Sequence, residues 1–108
     1  HIAEVLPEAL RRFDSGVYVV WYPVKRQRDI DLWHARIARA ITQPTLAAEI
    51  WLHPRDTAVG LNGSGLLIVN PPWQSELRLA AWQEALRQRL GGGSGSGCGV
   101  KWIVHERT

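Results

Sequence analysis

Apolar residues Ile2, Val5, Leu6, Ala9, Leu10 and Phe13 recur at helical spacing ahead of Ser15-Gly16, which predicts an amphipathic opening helix. Pro7 disturbs the pattern. An interior proline lacks the N–H and clashes with the preceding turn, so either the regular helix begins with Pro7 in its first turn or it kinks there. Val17 to Trp21 is unbroken and β-branched or aromatic, the pattern of a strand covered on both faces, and Pro23 ends it. Ile30, Trp33, Ile37 and Ile41 share one helical face. Asp29 and Asp31 stand in the first turn of that helix and Arg36 and Arg39 toward its end, the sense that the helix dipole favours. Leu46 to Leu52 and Leu66 to Val69 predict two further strands around a polar loop rich in glycine, proline and aspartate. Ser75 to Leu90 predicts a second strong helix with Leu79, Trp82, Leu86 and Leu90 as its apolar stripe and Gly91 as its stop. Gly91 to Gly99 reads as a flexible Gly/Ser linker, and Val100 to Val104 as a short final strand.

Alternating strands and helices predict βαβ units, while the short connection between the second and third strands predicts an antiparallel hairpin. The expected fold class is therefore α/β, a mixed, mostly parallel sheet carrying one antiparallel hairpin. The opening helix has no strand before it to complete a crossover, so the chain reads as cut from a larger sheet. Residues 1–90 form the body of that reading, 91–99 the linker, and 100–108 a terminal strand returning to the same domain.

Composition narrows the function classes. A length of 108 residues, 45% of them hydrophobic and including six tryptophans, suits one core. Most of the tryptophans, Trp33 and Trp82 among them, are expected in core packing because they sit on apolar helical faces. No apolar run approaches a membrane span, which predicts a cytoplasmic protein with no membrane partner. Cys98 is alone, and the histidines (His1, His34, His53, His105) lack metal-ligand spacing, so neither a disulfide nor a metal is expected. The Gly91–Gly99 run lacks the Lys-Ser/Thr ending of a nucleotide loop. A net charge of +3 is a modest tilt toward anionic partners such as RNA. The absence of methionine, an initiator included, points to a fragment.

The tetrapeptide Asn70-Pro71-Pro72-Trp73 follows a strand, as the Asp/Asn-Pro-Pro-aromatic motif does in adenine-N6 methyltransferases, where it holds the exocyclic amine of a flipped base. A proline pair that simply ends a strand and starts a helix gives the same pattern. Three segments, Val17-Tyr18-Val19-Val20-Trp21-Tyr22-Pro23-Val24, Leu61-Asn62-Gly63-Ser64-Gly65-Leu66-Leu67-Ile68-Val69-Asn70-Pro71-Pro72-Trp73 and Val100-Lys101-Trp102-Ile103-Val104, resemble successive segments of the carboxy-terminal portion of the RlmJ family of 23S rRNA adenine-N6 methyltransferases.

The resemblance implies a Rossmann-like class I methyltransferase whose parent uses S-adenosylmethionine and acts on 23S rRNA. It implies that the cofactor loop and the catalytic Asp-Pro-Pro-Tyr lie upstream, so no catalytic or cofactor-binding residue and no bound cofactor are expected in this chain. Val17–Trp21, Leu46–Leu52 and Leu66–Val69 become the fifth, sixth and antiparallel seventh strands. Ligands of open α/β sheets sit at the carboxyl ends of parallel strands. By that rule Trp21, Tyr22, Pro23, Lys25, Arg26, Asn62 and Ser64 are the candidate substrate-binding residues, aromatic faces for a base and basic groups for phosphates, while Asn70 leaves on the far side. A non-catalytic α/β RNA- or protein-binding module and a DNA adenine-N6 methyltransferase are the alternatives. An exposed sheet edge would let the fragment self-associate.

Overall fold

The computed structural model describes residues 2–24, 26–51, 63–90 and 96–105, with Leu90 described by its backbone alone. The elements in order are α1 (Ile2–Arg12), β1 (Tyr18–Val24), α2 (Gln27–Ala40), β2 (Thr45–Trp51), β3 (Gly63–Val69), α3 (Ser75–Leu90) and β4 (Gly97–Val104). Pro7 lies inside α1.

The strands form one sheet in the order β1-β3-β2-β4, and each hydrogen-bonded pair is antiparallel. This corrects the expectation of a mostly parallel sheet. β1 and β2 do run the same way, but the crossover through α2 leaves a gap one strand wide, and the hairpin partner β3 fills it in the opposite sense. The expected β2–β3 antiparallel pairing is present. β4 pairs with β2 from Gly97 onward, so Gly97, Cys98 and Gly99 belong to a strand rather than to the linker. Ser96 precedes that strand, and residues 91–95 of the linker lie outside the described residues.

Strand alternation sends residues to two unlike faces. Tyr22, Ala47, Leu67 and Val69 point to one, where they pack with Leu6 and Leu10 of α1 and with Ile30, Ile37 and Ile41 of α2 and its end. Full burial of a side chain such as Leu6 or Ile37 is worth about 1.5–3 kcal/mol, so this cluster dominates the stability of the fold. The helical stripe of α2 therefore forms as its periodicity requires, with Trp33 half-buried beside it.

The opposite face carries α3, packed over β2 and β4. Here the expected stripe is displaced. Gln83 is the buried position, its Nε2 donating to the backbone oxygen of Glu49 at 3.0 Å, while Trp82 is 62% exposed. Trp82 is thus not core. β1 also departs from a strand covered on both faces, because Val19 and Trp21 are more than half exposed. It continues through Pro23, which lacks a ladder donor and is tolerated on an edge strand.

Candidate substrate-facing edge

Antiparallel insertion of β3 brings three chain segments to one end of the sheet. Tyr22 and Glu49 both pair with Gly65, Pro23 and Ile50 with Ser64, and Val24 and Trp51 with Gly63. The carboxyl ends of β1 and β2 therefore flank the start of β3. Of the seven candidate residues, Trp21, Tyr22, Pro23 and Ser64 lie in these strand ends, and Arg26 is the exposed N-cap of α2. Lys25 and Asn62 lie outside the described residues.

Strand parity divides the group. Trp21, Pro23 and Ser64 belong to the face that carries α3, and Trp21 is 57% exposed. Tyr22 points the other way and is 6% exposed, so its ring offers no stacking surface to a base. It packs edge-on against Trp33 at 4.8 Å between centroids. Its hydroxyl donates to Glu49 Oε2 at 2.5 Å, and His34 Nε2 lies 3.3 Å from the same hydroxyl and 3.8 Å from the carboxylate. A buried carboxylate is tolerated only with such partners. Gly65 makes room for the arrangement: a Cβ there would come within 2.4 Å of the Tyr22 ring.

This Tyr22–His34–Glu49 group was missed by sequence reasoning, although a signal existed. His34 breaks an apolar helical face one turn after Ile30, and Glu49 breaks the apolar run of β2. Isolated polar residues inside apolar patterns mark positions where a partner must be supplied.

At the other end of the sheet, Asn70 leaves β3 with φ 56°. Its Nδ2 donates to the backbone oxygens of Asp14 and Gly16, both at 2.9 Å, and its own N–H donates to Pro44 at 2.8 Å. Both amide hydrogens are thereby held by the turn between α1 and β1, on the side away from Trp21–Val24. Pro71 and Pro72 then lead into α3, where the Ser75 hydroxyl donates to the Pro72 carbonyl at 2.6 Å, and Trp73 is exposed.

A further ionic group joins α3 to β4. Arg87 makes a bidentate contact with Glu84, at 2.6 and 3.2 Å, and holds that carboxylate down at about 2. Burial, then the hydrogen bond to Glu84 at 3.6 Å, pushes the Cys98 thiol above its ordinary value.

Residues 1–104 match the family described as Ribosomal RNA large subunit methyltransferase D, RlmJ. This chain belongs to the RlmJ family. The Escherichia coli K12 ribosomal RNA large subunit methyltransferase J is 28% identical over 101 residues, which is 94% of this chain and 36% of that protein. Its Haemophilus influenzae counterpart is 31% identical over 97% of this chain and 37% of its own length. A crystal structure of a Legionella pneumophila protein superposes with a TM-score of 0.78 at 25% identity, over 93% of this chain and 36% of that one. The RlmJ-family chain thus spans about a third of these relatives' length and corresponds to their carboxy-terminal portion.

For an RlmJ-family chain the implied cofactor is S-adenosylmethionine, and the described residues do not fit it. Nucleotide-like cofactors are gripped where a glycine-containing turn joins a strand to a helix N-terminus. Neither strand-to-helix junction among the described elements, Val24–Gln27 or Asn70–Ser75, contains a glycine. The α2 N-cap is Arg26, which makes no side-chain cap hydrogen bond.

Proposed function

We propose that this chain is the carboxy-terminal part of an S-adenosylmethionine-dependent methyltransferase acting on an adenine N6 of 23S rRNA in the cytoplasm, and that it builds a wall of the substrate cleft without supplying cofactor or catalytic groups. The observation that carries this reading is the convergence of the β1 and β2 carboxyl ends with the start of β3, the edge at which open α/β sheets receive ligands, in a chain of a ribosomal RNA methyltransferase family.

Trp21, Pro23, Arg26 and Ser64 are the proposed RNA-facing residues of that edge, and Lys25 and Asn62 are proposed RNA contacts on the sequence alone. The indole of Trp21 has an exposed face for stacking, and the Arg26 guanidinium is a phosphate partner at the start of α2. Tyr22 acts from beneath. Its bond to Glu49 ties the β1 and β2 ends together across Gly65 and holds the edge in register. Asn70 is proposed as structural, since both amide hydrogens are engaged by the α1–β1 turn.

The test is methylation of unmodified 23S rRNA by the full-length protein, with DNA as competitor. Arg26→Ala is expected to raise KM for RNA with kcat little changed, the pattern of a lost binding contact. Unchanged KM in Arg26→Ala and Trp21→Ala, or equal turnover on DNA, would sink the assignment. Calorimetric titration of the 108-residue chain with S-adenosylmethionine checks the cofactor half: no heat at millimolar ligand is expected, and one-site binding would relocate the cofactor site into this chain.

A further inference from the structure

The solvent side of α2 carries a run of arginines without counter-charge. Arg28, Arg36 and Arg39 are exposed, and their spacing returns them to within about a quarter turn of one another, opposite the buried Ile30, His34 and Ile37. None of the ion pairs among the described residues involves these three or Arg26 at the N-cap. Other cations are neutralised: Arg11 and Arg12 share Glu8, Arg87 is held by Glu84 and Lys101 by Asp31. From Leu32 to Ala48 the sequence contains no acidic residue, so nothing in the later turns of α2 offsets Arg36 and Arg39.

Helix stability accounts for part of this run only. A cation in the last turn, where Arg39 stands, is favoured by the helix dipole, but Arg26 at the N-cap and Arg28 in the first turn set positive charge against the positive end of the same dipole. Asp31, one turn on from Arg28, is already engaged by Gln27 at 2.7 Å and by Lys101 at 3.5 Å. The fold thus gains nothing from cations at the start of α2, whereas an anion from outside the chain would meet all four arginines. Arg26 stands at the substrate-facing edge, and Arg28 to Arg39 extend about 16 Å along the helix axis, roughly five steps of a nucleic-acid strand.

We infer that the outer face of α2 binds the phosphate backbone of the RNA outside the substrate cleft, with Arg28, Arg36 and Arg39 as the contacts and Arg26 joining them to the substrate edge. The inference rests on the reading of the chain as part of an rRNA methyltransferase and adds where the rest of the RNA lies: it leaves the cleft at the start of α2 and follows that helix along the flank of the sheet. Arginine suits the task because its planar fork pairs with two phosphate oxygens at once. Leu32, 58% exposed between the arginines, gives the stripe an apolar middle that a ribose can cover. Such contacts carry no sequence information; they fix the register in which the target base reaches the cleft.

The experiment measures binding of unmodified 23S rRNA by the full-length protein as a function of salt. Each phosphate contact contributes about 0.7–0.9 to the slope of log K against log salt concentration, so Arg36→Gln combined with Arg39→Gln is expected to lower its magnitude by about 1.4–1.8. Arg78→Gln combined with Arg89→Gln removes the same charge from exposed positions of α3 and is expected to leave the slope unchanged. Modification of the unsubstituted protein with phenylglyoxal, mapped by mass spectrometry, covers the case in which a variant fails to fold: bound RNA is expected to slow reaction at Arg28, Arg36 and Arg39 and not at Arg78 or Arg89. An unchanged slope in the α2 variant, equal losses in both variants, or equal reactivity of the α2 arginines with and without RNA would overturn the inference and leave the functional reading standing. Failure of the unsubstituted protein to bind the RNA at all would overturn both.

Discussion

The side-chain amide of Asn70 donates to the backbone oxygen of Gly16 across 54 residues of sequence, at 2.9 Å, while its second hydrogen is taken by Asp14. The motif that most resembles a catalytic one is a clamp. It joins the exit of β3 to the entry of β1, and Asn suits the position because its short polar side chain both tolerates a φ of 56° and bonds locally.

Asn70→Ala is expected to destabilise the protein by about 1–3 kcal/mol through two lost hydrogen bonds and a strained φ. Asn70→Gly removes the strain and keeps the hydrogen-bond loss, so the difference between the two variants in urea unfolding isolates the backbone component. Asn70→Asp does not rescue, since a carboxylate cannot donate. Wild-type kcat in a folded Asn70→Gly enzyme accords with the structural role, whereas a kcat loss at unchanged stability would restore the catalytic one.

Gly65→Ala pushes a methyl into the Tyr22 ring and is expected to cost about 1–3 kcal/mol, the range for an overpacked core. Tyr22→Leu in the same chain should recover part of that loss. A double-mutant cycle in chemical denaturation reads the coupling directly; additive effects would mean that the two residues do not share space as described.

Tyr22→Phe withdraws a hydroxyl donor from the buried Glu49 carboxylate, with an expected cost of about 1–3 kcal/mol. Tyr22→Phe combined with Glu49→Gln should be less destabilised than Tyr22→Phe alone, because a neutral amide is easier to bury than a charge missing a donor. Thermal unfolding of the three variants checks the order.

The Glu84–Arg87–Cys98 group has a pH signature. Arg87 depresses the Glu84 carboxyl from 4.5 to about 2 in the folded protein, so the stabilisation is fully present above 4.5 and is lost as pH falls toward 2. Glu84→Gln should flatten that part of the stability–pH curve, with a small amplitude at this exposed site. The same substitution removes the charge that helps hold the Cys98 thiol above its ordinary value, so Cys98 should alkylate faster at a given pH near 8. Unchanged alkylation would show that burial alone sets the thiol.

Much of the fold was legible because its signals are local. The helical stripe Ile30–Ile37–Ile41, the bounds of α3 and the strand runs around Leu46–Trp51 and Leu66–Val69 follow from side-chain period and hydrophobicity, which the backbone geometry reads out directly. The segments Val17–Val24, Leu61–Trp73 and Val100–Val104 also carried the family resemblance that residues 1–104 bear out.

Tertiary structure decided what depends on which elements meet. An unbroken apolar strand such as Val17–Trp21 has the same sequence whether its second face is covered or open, and α3, lying over β2 and β4, leaves Val19 and Trp21 open. The stripe of α3 pivots onto Gln83, whose side chain donates to the Glu49 backbone oxygen of β2, a contact invisible in the helix itself. Sheet order likewise rests on non-local pairing: only the insertion of β3 between β1 and β2 turns parallel strands into antiparallel neighbours, places Tyr22 over Gly65, and sends Asn70 to the end of the sheet opposite the proposed substrate edge.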